Sequence, residues 1–119
     1  MAKAKAAKSP GQRLRDICLG LPEAIEQETW DLPTYRVRGK IFAMEVARDG
    51  RLAFWCKGLP GSQEILVGAD PERFFVPPYF GPKGWIGMWI DRKADWREVA
   101  ELVRRSYRQV APKKLAEQV

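Results

Sequence analysis

The sequence predicts a single α+β domain, an antiparallel β-meander packed on one face by an N-terminal helix and a long C-terminal helix. Three features lead there. Residues 30–57 alternate apolar and polar side chains around two glycine-bearing turns, the pattern of consecutive hairpins. Residues 96–110 repeat apolar positions at helical spacing behind Asp95. Ser9-Pro10 opens a second amphipathic stretch, with Pro10 at the first helical position. A chain of 119 residues can bury a core of its own as one domain. Four or five strands fit between the two helices.

Taken in order, residues 1–9 form a basic arm with Lys3, Lys5 and Lys8, expected to be flexible, and residues 10–119 form the domain. The first helix runs from Pro10 to Leu19, capped by Ser9 and stopped by Gly20 and Pro22. Leu14, Ile17 and Cys18 make its apolar stripe. Residues 23–30 are assigned to a strand, because Thr29 and Trp30 suit a pleated surface. The segment from Trp30 to Met44 then reads as a hairpin turning at Gly39-Lys40. That turn sets Val37 opposite Phe42 and Tyr35 opposite Met44, with Arg36 and Arg38 on the other face.

For the second hairpin two registers compete. A tight Asp49-Gly50 turn sets Met44 opposite Trp55 and splits the apolar residues between two faces. A three-residue loop with Gly50 as its left-handed residue pairs Val46 with Leu52, Met44 with Phe54 and Phe42 with Cys56. Only the second gathers the apolar residues on one side, so it is the expected register. It leaves Ala43, Glu45, Trp55 and Lys57 outside, beside Arg36 and Arg38.

Pro60-Gly61 breaks the sheet, and Ser62 is expected to cap a short helix reaching Gly68. Asp70-Pro71 reads as a further helix start. Residues 76–84 hold too much Pro and Gly for a central strand. The stretch from Trp85 to Ile90 alternates again, with Ile86, Met88 and Ile90 facing away from Trp85, Gly87 and Trp89. Asp95 with Glu98 resembles a capping box. Behind it, Trp96, Val99, Ala100, Val103, Tyr107 and Val110 form the buried stripe of the long helix, and Pro112 ends it. Lys113-Lys114 begin a last short helix or tail.

Composition narrows the chemistry. There is no histidine, which excludes Ser–His and Cys–His nucleophile pairs, imidazole bases and His-containing metal sites. Cys18 and Cys56 have neither disulfide-framework nor metal spacing and read as core thiols. Glu23, Glu26, Glu28 and Asp31 lack ligand spacing and read as a solvated edge. No apolar run is long enough to cross a membrane, and the N-terminus has no signal-peptide core. The net charge is +6, concentrated in the arm, the central hairpins and the C-terminal helix. That balance favours polyanionic partners.

Several blocks are similar to the MmcQ/YjbR-like family. They are Leu21-Pro22-Glu23-Ala24, the run from Trp30 to Val37, Gly39-Lys40-Ile41-Phe42-Ala43, Pro78-Tyr79, Gly84-Trp85, Asp95-Trp96, Ser106-Tyr107 and Ala111-Pro112-Lys113-Lys114. The resemblance implies a small α+β domain that binds DNA through a "double-wing" pair of hairpins. Here the wings would be the tips at Arg38-Gly39-Lys40 and Arg48-Asp49-Gly50-Arg51. Pro82 stands where many members carry histidine, so no family role passes to the loop between Tyr79 and Trp85.

The expectation is therefore a cytoplasmic, bacterial DNA-binding accessory protein, with no enzymatic activity, cofactor or metal. Arg36, Arg38, Lys40, Arg48, Arg51 and Lys57 would contact phosphates, and Trp55 would stack on a base. The alternative is a protein-interaction module that docks a partner through exposed aromatic residues and the open sheet face. A third reading is a pocket for a small anion. Tyr79, Trp85 and Trp89 read as a satellite core beneath the Pro-rich loop.

Overall fold

The computed structural model describes residues 8–119. Six strands form one antiparallel sheet in the order β1-β2-β3-β4-β6-β5. They are β1 (Ile25–Thr29), β2 (Leu32–Val37), β3 (Lys40–Arg48), β4 (Arg51–Lys57), β5 (Phe74–Phe75) and β6 (Trp85–Trp89). The helices are α1 (Pro10–Leu19), α2 (Ser62–Ala69), α3 (Trp96–Val110) and α4 (Lys113–Ala116). Helices α1 and α3 pack on one face of the sheet, as expected, and the sheet has one or two strands more than expected. Among the described residues no helix is long and apolar enough to cross a membrane.

Both principal helices begin and end where their caps predict. Ser9 and Gln12 close a capping box at α1, so residue 9 belongs to the helix rather than the arm. Residues 1–7 of the arm lie outside the described residues. At α3 the Asp95 carboxylate accepts from the Arg97 and Glu98 amides. The expected reciprocal bond is not made, because Glu98 reaches across to Arg73 instead. The stripe of α3 also includes Leu102 and Ser106, which are buried, while Trp96, Ala100 and Val110 are half-buried. Gly61, not Ser62, is the N-cap of α2, which reaches Ala69. Asp70 opens only a single turn, its carbonyl accepting from the Arg73 and Phe74 amides before the chain enters β5.

The hairpin registers correct the sequence reading. Three two-residue turns connect β1 to β4: Trp30-Asp31, Arg38-Gly39 and Asp49-Gly50. Every central residue has positive φ, between 50° and 81°, as the twist of tight hairpins demands. The Arg38-Gly39 turn therefore lies one residue before the expected Gly39-Lys40, and Val37 pairs with Lys40 rather than Phe42. The Asp49-Gly50 turn is the tight alternative, with Met44 opposite Trp55 and Val46 opposite Ala53. A β-bulge completes the difference. Tyr35 pairs with Ala43 but Arg36 with Ile41, leaving Phe42 as an extra residue in β3. Phe42 and Ala43 consequently both enter the helix-side core, while Ile41, Met44 and Val46 face the other way.

The inner face, toward the helices, holds the larger core. Tyr35, Val37, Phe42, Phe54, Cys56, Ile86, Met88 and Ile90 meet Leu14, Val99, Val103 and Tyr107 there. Glu45 pairs with Phe54 and thus also faces inward, beside Gly11 of α1, not outward as expected. Ser106 mends the bulge: its hydroxyl donates to the Phe42 carbonyl at 2.6 Å and accepts from the Lys57 amide at 2.9 Å. Tyr107 stacks edge-on against Phe42 and donates to the Pro22 carbonyl at 2.5 Å. A bulge would otherwise leave backbone polar groups unpaired in an apolar core, which Ser106 prevents.

Candidate binding site on the outer face of the sheet

On the outer face a second cluster forms from Met44, Val46, Trp55 and Trp85, joined by Leu32, Ile41, Phe75 and Phe80. No helix covers it. The loop of residues 76–84 folds back instead, and Phe80 packs edge-on against Trp85 at 4.8 Å and at a tilt against Trp55 at 6.0 Å. Gln63 of α2 anchors this loop by donating to the Gly81 and Trp85 carbonyls. At the far side Phe75 stacks on Trp89 at 4.7 Å, over Gly87. A Cβ on Gly87 would sit 2.3 Å from the Phe75 ring, so the position has room only for hydrogen.

Between the loop and the β1–β2 turn lies a cavity of about 350 Å³, lined by Trp30, Leu32, Met44, Trp55, Tyr79 and Phe80. No lining residue is charged. Trp30 is 69% exposed and Tyr79 is 90% exposed. Both have left-handed backbones, with φ of 53° and 68°, a conformation unfavourable for bulky residues. Trp55 is only 8% exposed, so it is part of the cavity wall and not the free stacking residue expected. Its indole Nε1 is buried without a hydrogen-bond partner among the described residues. An unpaired buried donor is uncommon in a folded chain.

The six cations singled out in the sequence are dispersed, and Arg36, Arg38 and Arg51 are engaged. Arg36 is half-buried and donates to Thr29 Oγ1 at 2.9 Å, the Gly39 carbonyl at 3.1 Å and Thr34 Oγ1 at 3.3 Å. Arg38 grips the Glu23 carboxylate through two bonds, at 2.6 and 3.1 Å, which holds that carboxyl below its ordinary range. Arg51 forms a fork of two 3.0 Å bonds with Asp91, likewise lowering it, and stacks on Trp89 at 4.3 Å. Lys40 and Arg48 are exposed and Lys57 is half-buried; none of the three has a carboxylate partner among the described residues.

In an antiparallel meander successive turns lie at opposite ends of the sheet. The Arg38-Gly39 and Asp49-Gly50 tips are thus separated by the length of β3, roughly 30 Å at the usual rise per residue. Arg48 and Arg51 are paired neighbours, but neither meets Arg38 or Lys40. Sequence reasoning missed Trp30 and Phe80 as site residues. The signal for Trp30 was its place between Thr29 and Leu32, where a turn without glycine was not anticipated.

The YjbR family model matches residues 19–109, most of the chain. The chain belongs to the YjbR family. A crystal structure of the Deinococcus radiodurans protein DR2400, a DUF419 domain, is similar to this YjbR chain with a TM-score of 0.76. The two are 22% identical, over 94% of this chain and 91% of the other. Among curated proteins none matches. The matched span of this YjbR domain contains the whole sheet and every residue lining the outer-face cavity.

Proposed function

We propose that this YjbR domain is a docking module that takes an apolar side chain of a partner protein into the outer-face cavity. The observation that carries the reading is an uncharged 350 Å³ cavity rimmed by two exposed aromatic residues, Trp30 and Tyr79. That volume lies at the small end of ligand pockets and suits one or two side chains. Exposed aromatic residues beside an apolar floor mark interaction surfaces more often than they stabilise a fold.

The partner segment is an extended strand. β1 is an outer strand of the sheet, so one side of its backbone has no neighbour among the described residues. Ile25, Gln27 and Thr29 face outward along it and lead to Trp30, while Glu26 and Glu28 alternate with them. A strand added there would place apolar residues toward the cavity and a basic residue beside Glu28, while Glu26 is held by Arg15 at 2.6 Å. The probe is a synthetic peptide alternating Leu and Lys around a central Trp, followed by calorimetry. The double variant Trp30→Ala/Tyr79→Ala should weaken binding tenfold or more; unchanged binding would overturn the reading.

A second reading, contact with the DNA backbone, is favoured by the three cations without carboxylate partners, Lys40, Arg48 and Lys57. Three phosphate contacts would give a log–log salt slope of about −3. Duplex binding with that slope, lost when Lys40, Arg48 and Lys57 become Ala but retained in the Trp30/Tyr79 variant, would favour it over docking.

A further inference from the structure

On the opposite side of the molecule a groove of about 480 Å³ runs between α1 and α3. Lys8, Arg13, Asp16 and Ile17 line it from one helix, and Trp96, Arg97, Ala100 and Arg104 from the other. Its charge is strongly one-sided. Asp16 is engaged by Lys8, and Arg104 shares Glu101 at 3.8 Å. Arg13 and Arg97 have no carboxylate partner among the described residues. The Arg13 guanidinium lies 4.6 Å from the Trp96 ring centroid, which holds it flat while leaving its edge donors free. Trp96 and Arg97 lie in the first turn of α3, where the backbone amides add partial positive charge.

We infer that this groove binds a phosphate-bearing small molecule of nucleotide size. Arg13 and Arg97 hold the phosphate, and Arg104, two helical turns beyond Arg97, reaches a second anionic group. Ile17, Trp96 and Ala100 supply an apolar floor for the remainder of the ligand. The inference is independent of the outer-face reading, because the two sites lie on opposite faces of the sheet.

Calorimetry with ATP, inorganic phosphate and a short DNA duplex tests it. ATP should bind, and Arg97→Glu should weaken it at least tenfold. That variant replaces an exposed cation in the first turn of α3, where a carboxylate suits the helix end, so it should fold. Arg13→Gln should weaken ATP as well, and Trp30→Ala/Tyr79→Ala should leave it unchanged. Three outcomes would overturn the inference: no ATP binding at millimolar concentration, ATP binding indifferent to Arg13 and Arg97, or phosphate binding as tightly as ATP. Tighter binding of the duplex than of ATP would overturn it too, in favour of a polymer.

Discussion

The two faces of the sheet are built from the same strands and finished differently. The inner face is closed by α1 and α3, and its buried polar groups are matched, with Ser106 joining the bulge to β4 and Tyr107 tying down Pro22. The outer face is closed only in part, by a loop that leaves Trp30 and Tyr79 in solvent and the Trp55 Nε1 unpaired among the described residues. Alternation along each strand lets one side carry stability while the other carries an open apolar site.

The largest expected contrast is between one buried and one exposed aromatic residue. Phe54→Ala should cost about 3–5 kcal/mol in chemical denaturation, whereas Trp30→Ala should stay within about 0.5 kcal/mol. Equal losses would break the distinction between the faces. Ser106→Ala comes next, at about 1–3 kcal/mol, because it strands the Phe42 carbonyl and the Lys57 amide together. Urea titration that finds no loss would mean the bulge closes without it.

Gly87→Ala should cost a comparable or smaller amount, about 1–3 kcal/mol, by pushing Phe75 off the sheet and separating it from Trp89. A change in the tryptophan fluorescence spectrum with little change in far-UV circular dichroism would show that the damage is confined to the outer face.

The smallest effect separates the faces by pH. Half-burial near Glu26 raises the Glu45 carboxyl above its ordinary range. The folded state then holds that proton more tightly than the unfolded one, so this group favours folding at low pH and opposes it as pH rises through the shifted value. Glu45→Gln should therefore raise Tm slightly at pH 7 and leave it unchanged near pH 3. On the outer side Asp91 is lowered by Arg51, and its contribution has the opposite sign: present at neutral pH and lost as pH falls. Asp91→Asn should lower Tm at pH 7 and converge with the parent in acid.

The parts of this fold legible in the sequence are those governed by local chemistry. Ser9-Pro10 and Asp95 announced α1 and α3 to the residue, because a cap acts on the amides beside it. The alternation of Trp85 to Ile90 and the α+β class are legible as well; of the strand expected at 23–30, only Ile25–Thr29 forms, and Trp30, one of the two residues that suggested it, lies in the turn. The registers are not legible. Residues 41–44 are all apolar, so the pattern gave no sign that Phe42 is an extra residue. The three-residue loop at Arg48-Asp49-Gly50 follows only from the premise that one face alone is apolar, and here both faces are. The hairpin cations are visible in the sequence as residue types, but their partners are not, because Glu23 lies 15 positions from Arg38 and Asp91 lies 40 from Arg51. The cavity exists only because residues 76–84 cross over β4 and β6.

The turn at Trp30-Asp31 carries a meaning of another kind. Asn-Gly is the pair that enters such a turn most readily, and an indole is among the poorer choices. Natural selection for foldability alone would remove it. In a library of every amino acid at position 30, a screen for soluble folded protein should enrich Asn and Gly and deplete Trp. A screen for partner capture should bring Trp back. The backbone of this one residue thus offers a way to read, from sequence counts alone, which pressure has shaped that corner of the molecule.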